Sequence, residues 1–470
     1  LCTDGVNWSE EWTQAVGGDA STRRFDIAYE TASGDAMVLY SQGVGTTNEL
    51  GYRTKPGAAE CGSGNWSAPN DLDATGTSGV VQWVKMASDR RASSDTIVAI
   101  WADANSDLTA RIWSGSAWEN EPAAALETSL EVVSAAQDVE DFDVDFESLS
   151  GNAMVVWANS GGNNGTNGMR YARWIETTRA WSAATNPTTS GDDATNLDLA
   201  ANPNSNEMVF ASIGNAGGAE SADMRGGYWS GSAWTLSALD TACRMPAART
   251  KLVAAGWVTS GTNTRSVLVY DDAAGANAIS WYVGNGATFT QQTVDANPPP
   301  AFAIPQTIYN IQQDPLNKDR ILFTASDSNN YLYAKRAVMS STAGFAWHDG
   351  NGETILESAL STGTVGGFSF AYWPAPPVTT FIQSAYRLFD NANGVDVGAP
   401  LAAQDTIGAL SSGGAAFRLR TTVHIGQVDL PLNGQGFKLQ YAGRGDGTCE
   451  APNGTPLDYA DVNAATLVAY

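Results

Sequence analysis

Short apolar segments recur along this chain at a nearly constant spacing of about 57 residues. They are "AMVLYS" (36–41), "TIVAIWAD" (96–103), "AMVVWAN" (153–159), "EMVFAS" (207–212), "SVLVYDD" (266–272) and "RILFTAS" (320–326). We align them on Val38, Val98, Val155, Val209, Val267 and Leu322. A period of this length indicates repeated units that cannot bury their apolar surface alone and therefore stack on their neighbours.

Each repeat contains four segments that are typical of strands. In the third repeat they are 141–147, 153–159, 169–175 and 180–186. Their alternating or β-branched character, with Gly, Asn and Ser between them, predicts antiparallel pairing. Six such repeats predict an all-β fold, a six-bladed β-propeller over residues 1–373. A further strand-like segment, "FSFAYW" (368–373), leaves a seven-bladed ring as the alternative.

The hexapeptide "WSGSAW" occurs at 113–118 and again at 229–234. Its Ser-Gly-Ser centre predicts a hairpin between the third and fourth strands of a blade, because glycine tolerates positive φ. We expect its indole rings to pack between blades, and a platform that stacks on sugars is the alternative. The candidate sugar-binding residues are Trp113, Trp118, Trp229 and Trp234, with three arginines that precede such hairpins at similar offsets, Arg111, Arg170 and Arg225.

The first strand of each blade is expected to line a central channel. The predicted channel-lining residues are Asp26, Gln82, Asp143, Asp198, Lys251 and Asn310. Their carboxylates need water, pairing with Lys251 or a bound cation.

Asp103, Asn105 and Asp107 alternate as at the start of an EF-hand loop, which makes calcium a candidate ligand there. Leu108 stands where that loop needs glycine, so an ordinary hairpin loop is the alternative. No other cofactor is predicted.

The formal net charge of −25 argues against binding to nucleic acid, which requires a basic surface. The sequence has no apolar run long enough to predict a membrane span. Four widely spaced cysteines predict two disulfides in an oxidising compartment. We expect Cys2 to pair with Cys61 and Cys243 with Cys449. The start at Leu1 suggests a removed leader, and together these features predict an extracellular or cell-surface protein.

The segment "WPAPPV" (373–378) predicts a stiff linker before a second domain at 379–470. Alternating strands at 381–391, 416–426 and 436–444 predict an immunoglobulin-like β-sandwich. The last segment, "ADVNAATLVAY", predicts an edge strand or a strand that pairs with another chain.

Four segments of this second domain are "QSAYRLFDN", "PLAAQDT", "FRLRTTVHIG" and "GFKLQYAGRGDGTC". They resemble a β-sandwich module in large secreted surface proteins of uncultivated bacteria, where it follows tryptophan-rich, propeller-like repeats. The resemblance covers 381–450 closely and the repeats more loosely. In those proteins the chain usually continues beyond this point. The resemblance implies an exported, cell-surface or filament-associated role and carries over no catalytic residue.

The sequence contains no phosphate-binding loop, dinucleotide fingerprint or sialidase-type Asp-box. His348 and His424 are predicted to be structural. We therefore expect a non-enzymatic extracellular structural protein, a surface-layer or filament subunit that associates with copies of itself. One alternative is a lectin-like propeller adhesin that binds glycans. The other is a propeller glycoside hydrolase that uses paired carboxylates.

Overall fold

The structure is a computed structural model of the chain. It describes the chain except for residues 1, 4–7, 10, 15–21, 58, 60–61, 74–78, 132–138, 160–167, 188–192, 216–221, 245–249, 273–277, 293–305, 315–316, 328–330, 341–344, 348–353, 358–379, 392–397, 411, 413–414, 427–439, 442–459 and 462–470. The chain divides into two compact units, Leu1–Pro376 and Pro377–Tyr470. The predicted domain identities, a propeller and a sandwich, stay predictions.

The first unit begins with a short hairpin of β1 (Cys2–Thr3) and β2 (Trp8–Ser9). Three four-stranded antiparallel sheets follow. Sheet 1 comprises β3 (Phe25–Tyr29), β4 (Ala36–Ser41), β5 (Leu50–Lys55) and β6 (Asn70–Leu72), with a single 3-10 turn at Ser63–Asn65. Sheet 2 comprises β7 (Val81–Ser88), β8 (Ile97–Asp103), β9 (Leu108–Trp113) and β10 (Trp118–Glu119). Sheet 3 comprises β11 (Phe142–Phe146), β12 (Ala153–Ala158), β13 (Met169–Ile175) and β14 (Ala180–Trp181).

Three further antiparallel sheets complete this unit. Sheet 4 comprises β15 (Asp193–Ala201), β16 (Met208–Asn215), β17 (Ala222–Trp229) and β18 (Trp234–Cys243). Sheet 5 comprises β19 (Val253–Ser260), β20 (Asn263–Asp272), β21 (Ala278–Asn285) and β22 (Thr288–Gln291), and is joined to sheet 4 by the pair Cys243 and Asp272. Sheet 6 comprises β23 (Gln306–Gln313), β24 (Arg320–Asp327), β25 (Leu332–Met339), β26 (Phe345–Trp347) and β27 (Thr354–Glu357).

Apolar side chains fill the space between each sheet and the next. Separate buried clusters lie between sheets 1 and 2, 2 and 3, 3 and 4, 4 and 5, and 5 and 6. Sheets 2 to 5 have such a cluster on each side, so their second strands can be apolar on both faces. All residues of β8 and β12 are buried. The predicted all-β stack of antiparallel repeats is therefore confirmed.

The alignment of the repeats is wrong by one residue at Val38 and at Val155. In sheet 1, Met37 and Leu39 face sheet 2, and Val38 does not. Val98 packs toward sheet 3 and Val209 toward sheet 5, whereas Val155 faces back toward sheet 2 and its neighbour Met154 faces sheet 4. A shift of one residue changes the face of the sheet, so the packing surfaces, and not the apolar letters alone, fix the correspondence.

Both copies of "WSGSAW" form the predicted hairpin between third and fourth strands. Trp113 pairs with Trp118, and Trp229 pairs with Trp234. The central glycines have φ angles of +90° at Gly115 and +92° at Gly231, which L side chains rarely adopt.

This hairpin allows a matched test. Replacing either glycine with alanine is expected to destabilise the protein by about 1 kcal/mol or more, because of the positive φ. Gly115→Ala is expected to cost more, because its new Cβ would lie 2.9 Å from Asp95 Cβ, whereas at Gly231 the nearest atom, Asn206 Cβ, is 3.6 Å away. Denaturant midpoints of the two variants check this, and a larger loss for Gly231→Ala would contradict it.

Cys243 carries a free thiol at the end of β18. It is buried in the apolar cluster between sheets 4 and 5 with Met224 and Leu252, and burial raises the pKa of its thiol well above the usual range. The disulfide predicted between Cys243 and Cys449 is not seen at Cys243, but Cys449 lies outside the described residues, so that pairing stays a prediction. Cys61, Cys449 and the side chain of Cys2 lie outside the described residues, so the pairing of Cys2 with Cys61 stays a prediction.

The second unit contains a long antiparallel ribbon of β28 (Thr380–Asp390) and β29 (Phe417–Gly426) and a short pair, β30 (Gln440–Tyr441) and β31 (Ala460–Asp461). His424 belongs to β29, and its side chain, like the whole of His348, lies outside the described residues. The predicted sandwich stays a prediction. In the described part of the chain, no helix has the length and apolar character that a membrane crossing needs.

Candidate functional site: charged and aromatic contacts between the sheets

Seven charged residues from the first strands and the segments before them meet in the interior of the first unit. We call this set the first-strand cluster. Its members are Arg23, Asp26, Lys85, Glu140, Asp143, Asp198 and Lys251. The first strands meet in chain order, because each sheet packs on the next, and the cluster thereby joins sheets 1 to 4 with the segment that precedes sheet 5.

The three cations each contact more than one carboxylate. Lys85 Nζ lies 2.7 Å from Asp143 Oδ2 and 3.4 Å from Asp198 Oδ1. Lys251 Nζ lies 2.6 Å from Asp198 Oδ1 and 3.5 Å from Glu140 Oε1. Arg23 donates to Glu140 Oε1 at 2.7 Å, and its other terminal nitrogen lies 3.3 Å from Asp26 Oδ1. Buried charges of this kind are tolerated only when they are paired and hydrogen-bonded.

The same aspartates also hold adjacent sheets together through the backbone. Met86 N donates to Asp26 Oδ2 at 2.7 Å, from sheet 2 to sheet 1. Leu199 N donates to Asp143 Oδ2 at 2.8 Å, and Ala255 N donates to Asp198 Oδ2 at 2.7 Å. One aspartate on a first strand therefore accepts a bond from the first strand of the next sheet, which satisfies backbone groups that the sheets leave unpaired.

Burial and the neighbouring charges change the pKa values of these carboxyl groups. Burial raises the pKa of Asp143 well above its usual range, and the nearby Asp198 adds to that rise. For Glu140 burial acts in the same direction, but Arg23, Lys251 and Lys85 outweigh it and lower the pKa to about 2. Asp198 likewise has a lowered pKa, because Lys251 and Lys85 outweigh the effect of burial.

The structure brings together four of the predicted channel-lining residues, Asp26, Asp143, Asp198 and Lys251. It places Gln82 elsewhere, because β7 has an irregularity between Val81 and Trp83 that changes the alternation, so Lys85 takes the position in the cluster. Gln82 instead accepts hydrogen bonds from Thr22 and Arg24. Asn310 is half-buried in β23.

Sequence reasoning missed Lys85, Arg23 and Glu140. Lys85 lies in the segment "VQWVK" (81–85), where a regular alternation of inward and outward side chains points to Gln82 as the channel-lining residue. Arg23 and Glu140 precede their strands, and only the packing of the sheets brings them to the same place. Of the predicted channel-lining aspartates, Asp198 contacts Lys251, whereas Asp143 contacts Lys85 and Asp26 contacts Arg23.

A second recurring arrangement is a hydrogen bond from a tryptophan indole N–H to a glutamate that is distant in the sequence. Trp66 Nε1 donates to Glu11 Oε2 at 2.6 Å, and Trp113 Nε1 to Glu30 Oε1 at 2.6 Å. The remaining pairs are Trp157 with Glu127 at 3.1 Å and Trp229 with Glu147 at 2.8 Å.

Three of these four pairs also hold a cation on the same carboxylate. Lys55 Nζ donates to Glu11 Oε1 at 2.9 Å, Arg170 to Glu127 Oε2 at 2.9 Å, and Arg173 to Glu147 Oε1 at 2.9 Å. The guanidinium of Arg173 also lies 5.2 Å from the ring centre of Trp229. At Glu30, Thr54 stands in the register position that Arg173 occupies in sheet 3.

The tryptophans of both "WSGSAW" copies contact the preceding sheet. Tyr52 of sheet 1 packs edge-on against Trp113 and Trp118, and Tyr171 of sheet 3 packs against Trp229 and Trp234. Trp113, Trp229 and Trp234 are buried, and Trp118 is half-buried. These contacts agree with the predicted packing between sheets.

The three predicted arginines do not occupy equivalent positions. Arg170 is opposite Trp157 and Arg225 is opposite Ser212, in each case the fifth residue of the second strand. Arg111 is opposite Ala99, the third residue of its second strand, and pairs with Glu121 at 2.6 Å. The similar offsets in the sequence therefore place only Arg170 and Arg225 in the same register.

The predicted calcium loop is the hairpin between β8 and β9. Asp103 Oδ1 accepts from Asn105 N at 2.9 Å and Asp107 N at 3.0 Å, and Oδ2 accepts from Gly79 N at 2.7 Å. Both Asp103 oxygens are thus engaged by backbone donors. Within the described residues, no group of three or more metal-ligating side chains is found.

Half-buried aromatic rings and a partly exposed arginine meet beside sheet 1. Trp12 and Trp66 are half-buried, with ring centres 5.7 Å apart, and the Arg53 guanidinium lies 4.8 Å from the Trp12 ring centre. Arg53 donates to Ser67 O at 3.1 Å, whereas its buried Nε has no hydrogen-bond partner. We call Trp12, Trp66, Arg53 and Glu11 the sheet 1 aromatic site. In the sequence, this site is indicated by the tripeptide "NWS", which occurs at 7–9 and again at 65–67.

No known protein-family model matches the chain, and no curated protein matches its sequence. Among solved structures, the fucose-specific lectin from Aleuria aurantia is 12% identical over 70% of this chain and 95% of its own, with a TM-score of 0.38. The SapL1 lectin is 13% identical over 71% and 98%, with a TM-score of 0.40. The α-L-arabinofuranosidase Arb93a from Fusarium graminearum is 9% identical over 65% and 88%, with a TM-score of 0.40.

Proposed function

We propose that the first unit is a six-bladed β-propeller, closed by the N-terminal segment against sheet 6. Six antiparallel sheets that pack face to face in chain order support this architecture. The backbone bonds from the first strand of one sheet to the aspartate of the preceding sheet support a common inner edge.

We further propose that this propeller is a non-enzymatic, extracellular carbohydrate-binding module. One observation carries the proposal. At three places a glutamate carboxylate accepts a hydrogen bond from a tryptophan indole and another from a lysine or arginine. Sugars are recognised by an aromatic face together with donors and acceptors for their hydroxyl groups, and these residues supply all three. Where the indole is buried, as at Trp229, the combination fastens sheets together. At the sheet 1 aromatic site two indoles are half-buried, so we place sugar binding there.

The first-strand cluster is a poor candidate for glycoside cleavage. Paired carboxylates occur there, but Asp198 accepts from Lys251 and Ala255 N, and Asp143 accepts from Leu199 N and Val144 N. A general acid or base must reach its substrate. These carboxylate oxygens already accept hydrogen bonds that connect neighbouring sheets, so they are not placed to act on a substrate. This favours a binding function over a catalytic one.

A glycan array probed with the full chain tests the proposal. We expect binding to at least one glycan, and the affinity for it should fall about tenfold or more in Arg53→Met, because a hydrogen bond from a charged donor is lost. Trp181→Leu is the matched control, since Trp181 is also half-buried and bonded, to Asn120 O, but belongs to no such combination with a glutamate. Absence of binding to every glycan overturns the proposal, and equal losses in both variants overturn the location.

The second candidate function is a self-associating surface or filament subunit. It is favoured by exposed apolar side chains in the second unit, where Ile407 is 81% and Phe417 46% exposed. Among the described residues, β28 and β29 form a sheet of two strands. Two strands alone are only marginally stable in water, which favours a covering partner. Sedimentation of the full chain over a range of concentrations tests this. A strictly monomeric particle at the highest concentration contradicts it.

A further inference from the structure

Among the residues that the structure describes, the first-strand cluster contains one more carboxylate than cations. Within contact distance are four carboxyl groups, Asp26, Glu140, Asp143 and Asp198, and three cations, Arg23, Lys85 and Lys251. All seven residues are buried or nearly so. An unbalanced charge in such a place is costly, and binding a proton removes that cost.

The geometry indicates which carboxyl group takes the proton. Asp143 and Asp198 approach the same Lys85 ammonium, from β11 and β15. Asp198 has a second cation, Lys251, at 2.6 Å, whereas the one described cation within salt-bridge distance of Asp143 is Lys85. Glu140 is held by Arg23 and Lys251, and Asp26 by Arg23. Of the two carboxyl groups that share the Lys85 ammonium, Asp143 therefore has the weaker compensation.

We propose that the cluster binds one proton, which Asp143 holds and shares with Asp198. Release of this proton weakens the contacts between sheets 2, 3 and 4. Asp143 accepts from Leu199 N as well as contacting Lys85, so the site that changes charge also connects the sheets. The raised pKa of Asp143 agrees with this assignment. The inference is independent of sugar binding.

The sign of the pH effect follows from linkage. A group whose pKa is raised on folding stabilises the protein fully below its unfolded pKa, and that contribution is lost as the pH rises through the folded value. For one such aspartate, the folding equilibrium constant falls by up to about tenfold per pH unit above about pH 4, until the folded group has lost its proton near neutral pH.

Denaturant unfolding of the full chain at a series of pH values is the test, with Asp143→Asn and Asp145→Asn compared with the wild type. Asp145 is the matched control. It lies two residues along the same strand and accepts from Ala201 N at 2.8 Å, but its charge is balanced by Arg90 at 2.8 Å. We expect the folding equilibrium constants of the wild type and of Asp145→Asn to fall toward neutral pH by up to about tenfold per pH unit, as for the release of one proton. The folding equilibrium constant of Asp143→Asn should lack this fall.

Parallel pH profiles for the wild type and Asp143→Asn overturn the proposal. If Asp143→Asn does not fold, infrared difference spectra of the wild type decide. An ordinary aspartate is ionised above about pH 5. A protonated carboxyl band that persists there in the wild type, in Glu30→Gln and in Asp271→Asn supports the proposal, because the two variants remove other buried carboxyl groups whose pKa is raised by burial. Absence of the band overturns the proposal.

Discussion

Lys85→Met is expected to lower the free energy of unfolding by about 3–5 kcal/mol, because it leaves buried carboxylates without their shared cation. Lys85 Nζ contacts Asp143 and Asp198 and lies 3.9 Å from Glu140 Oε1. Methionine has a similar length and fills the space, so the loss reports mainly the charge. The denaturant midpoint followed by tryptophan fluorescence measures it.

Arg179→Met provides the control for Lys85→Met. Arg179 pairs with Glu119 at the surface between sheets 2 and 3, with side chains 43% and 37% exposed. Such exposed pairs contribute about 0–1 kcal/mol. A Lys85→Met midpoint that matches that of Arg179→Met would show that the first-strand cluster does not hold the sheets together.

Glu147→Gln is expected to destabilise the protein by about 2–3 kcal/mol, because a buried carboxylate that a guanidinium contacts is replaced by an uncharged amide. Glu147 accepts from Arg173 at 2.9 Å and from Trp229 Nε1 at 2.8 Å. The Arg173 side chain is 22% exposed, so water recovers part of its lost interaction. Thermal and denaturant unfolding of the full chain measure the loss.

The matched variant is Glu30→Gln, with an expected loss of about 1 kcal/mol or less. Glu30 bonds Trp113 Nε1 in the same way, but Thr54 replaces the arginine. Burial raises the pKa of Glu30, so its charged form is disfavoured, and a neutral amide can still accept from the indole. Equal losses in both variants would mean that the cation adds nothing to the contact between sheets.

The two glutamates belong to a larger correspondence between sheets 1–2 and sheets 3–4. Ala32 N and Ser33 N donate to Asp95 Oδ1, and Leu149 N and Ser150 N donate to Asn206 Oδ1. Sheets 1–2 and sheets 3–4 therefore correspond as pairs, and "WSGSAW" stands at the same place in both, in sheets 2 and 4.

Local patterns were sufficient to predict the strands and hairpins. Alternation and turn residues predicted β11 to β13 within one or two residues of their observed bounds, and Ser-Gly-Ser predicted both hairpins, because these depend on backbone preferences and on side chains near in sequence. The free thiol of Cys243 was not predictable in this way, since a cysteine spacing does not say which side chains point into a core.

The sequence by itself determined that this protein is a stack of antiparallel sheets, because a repeated apolar strand with turn residues at its ends has few other ways to bury its surface. Only the tertiary structure decided which charges meet. Lys85 enters the first-strand cluster because an irregularity in β7 changes which side chains face inward, and Arg23 and Glu140 join it from segments 117 residues apart. Contacts between sheets depend on the face each residue takes and on the neighbour it meets, and neither is encoded in local spacing.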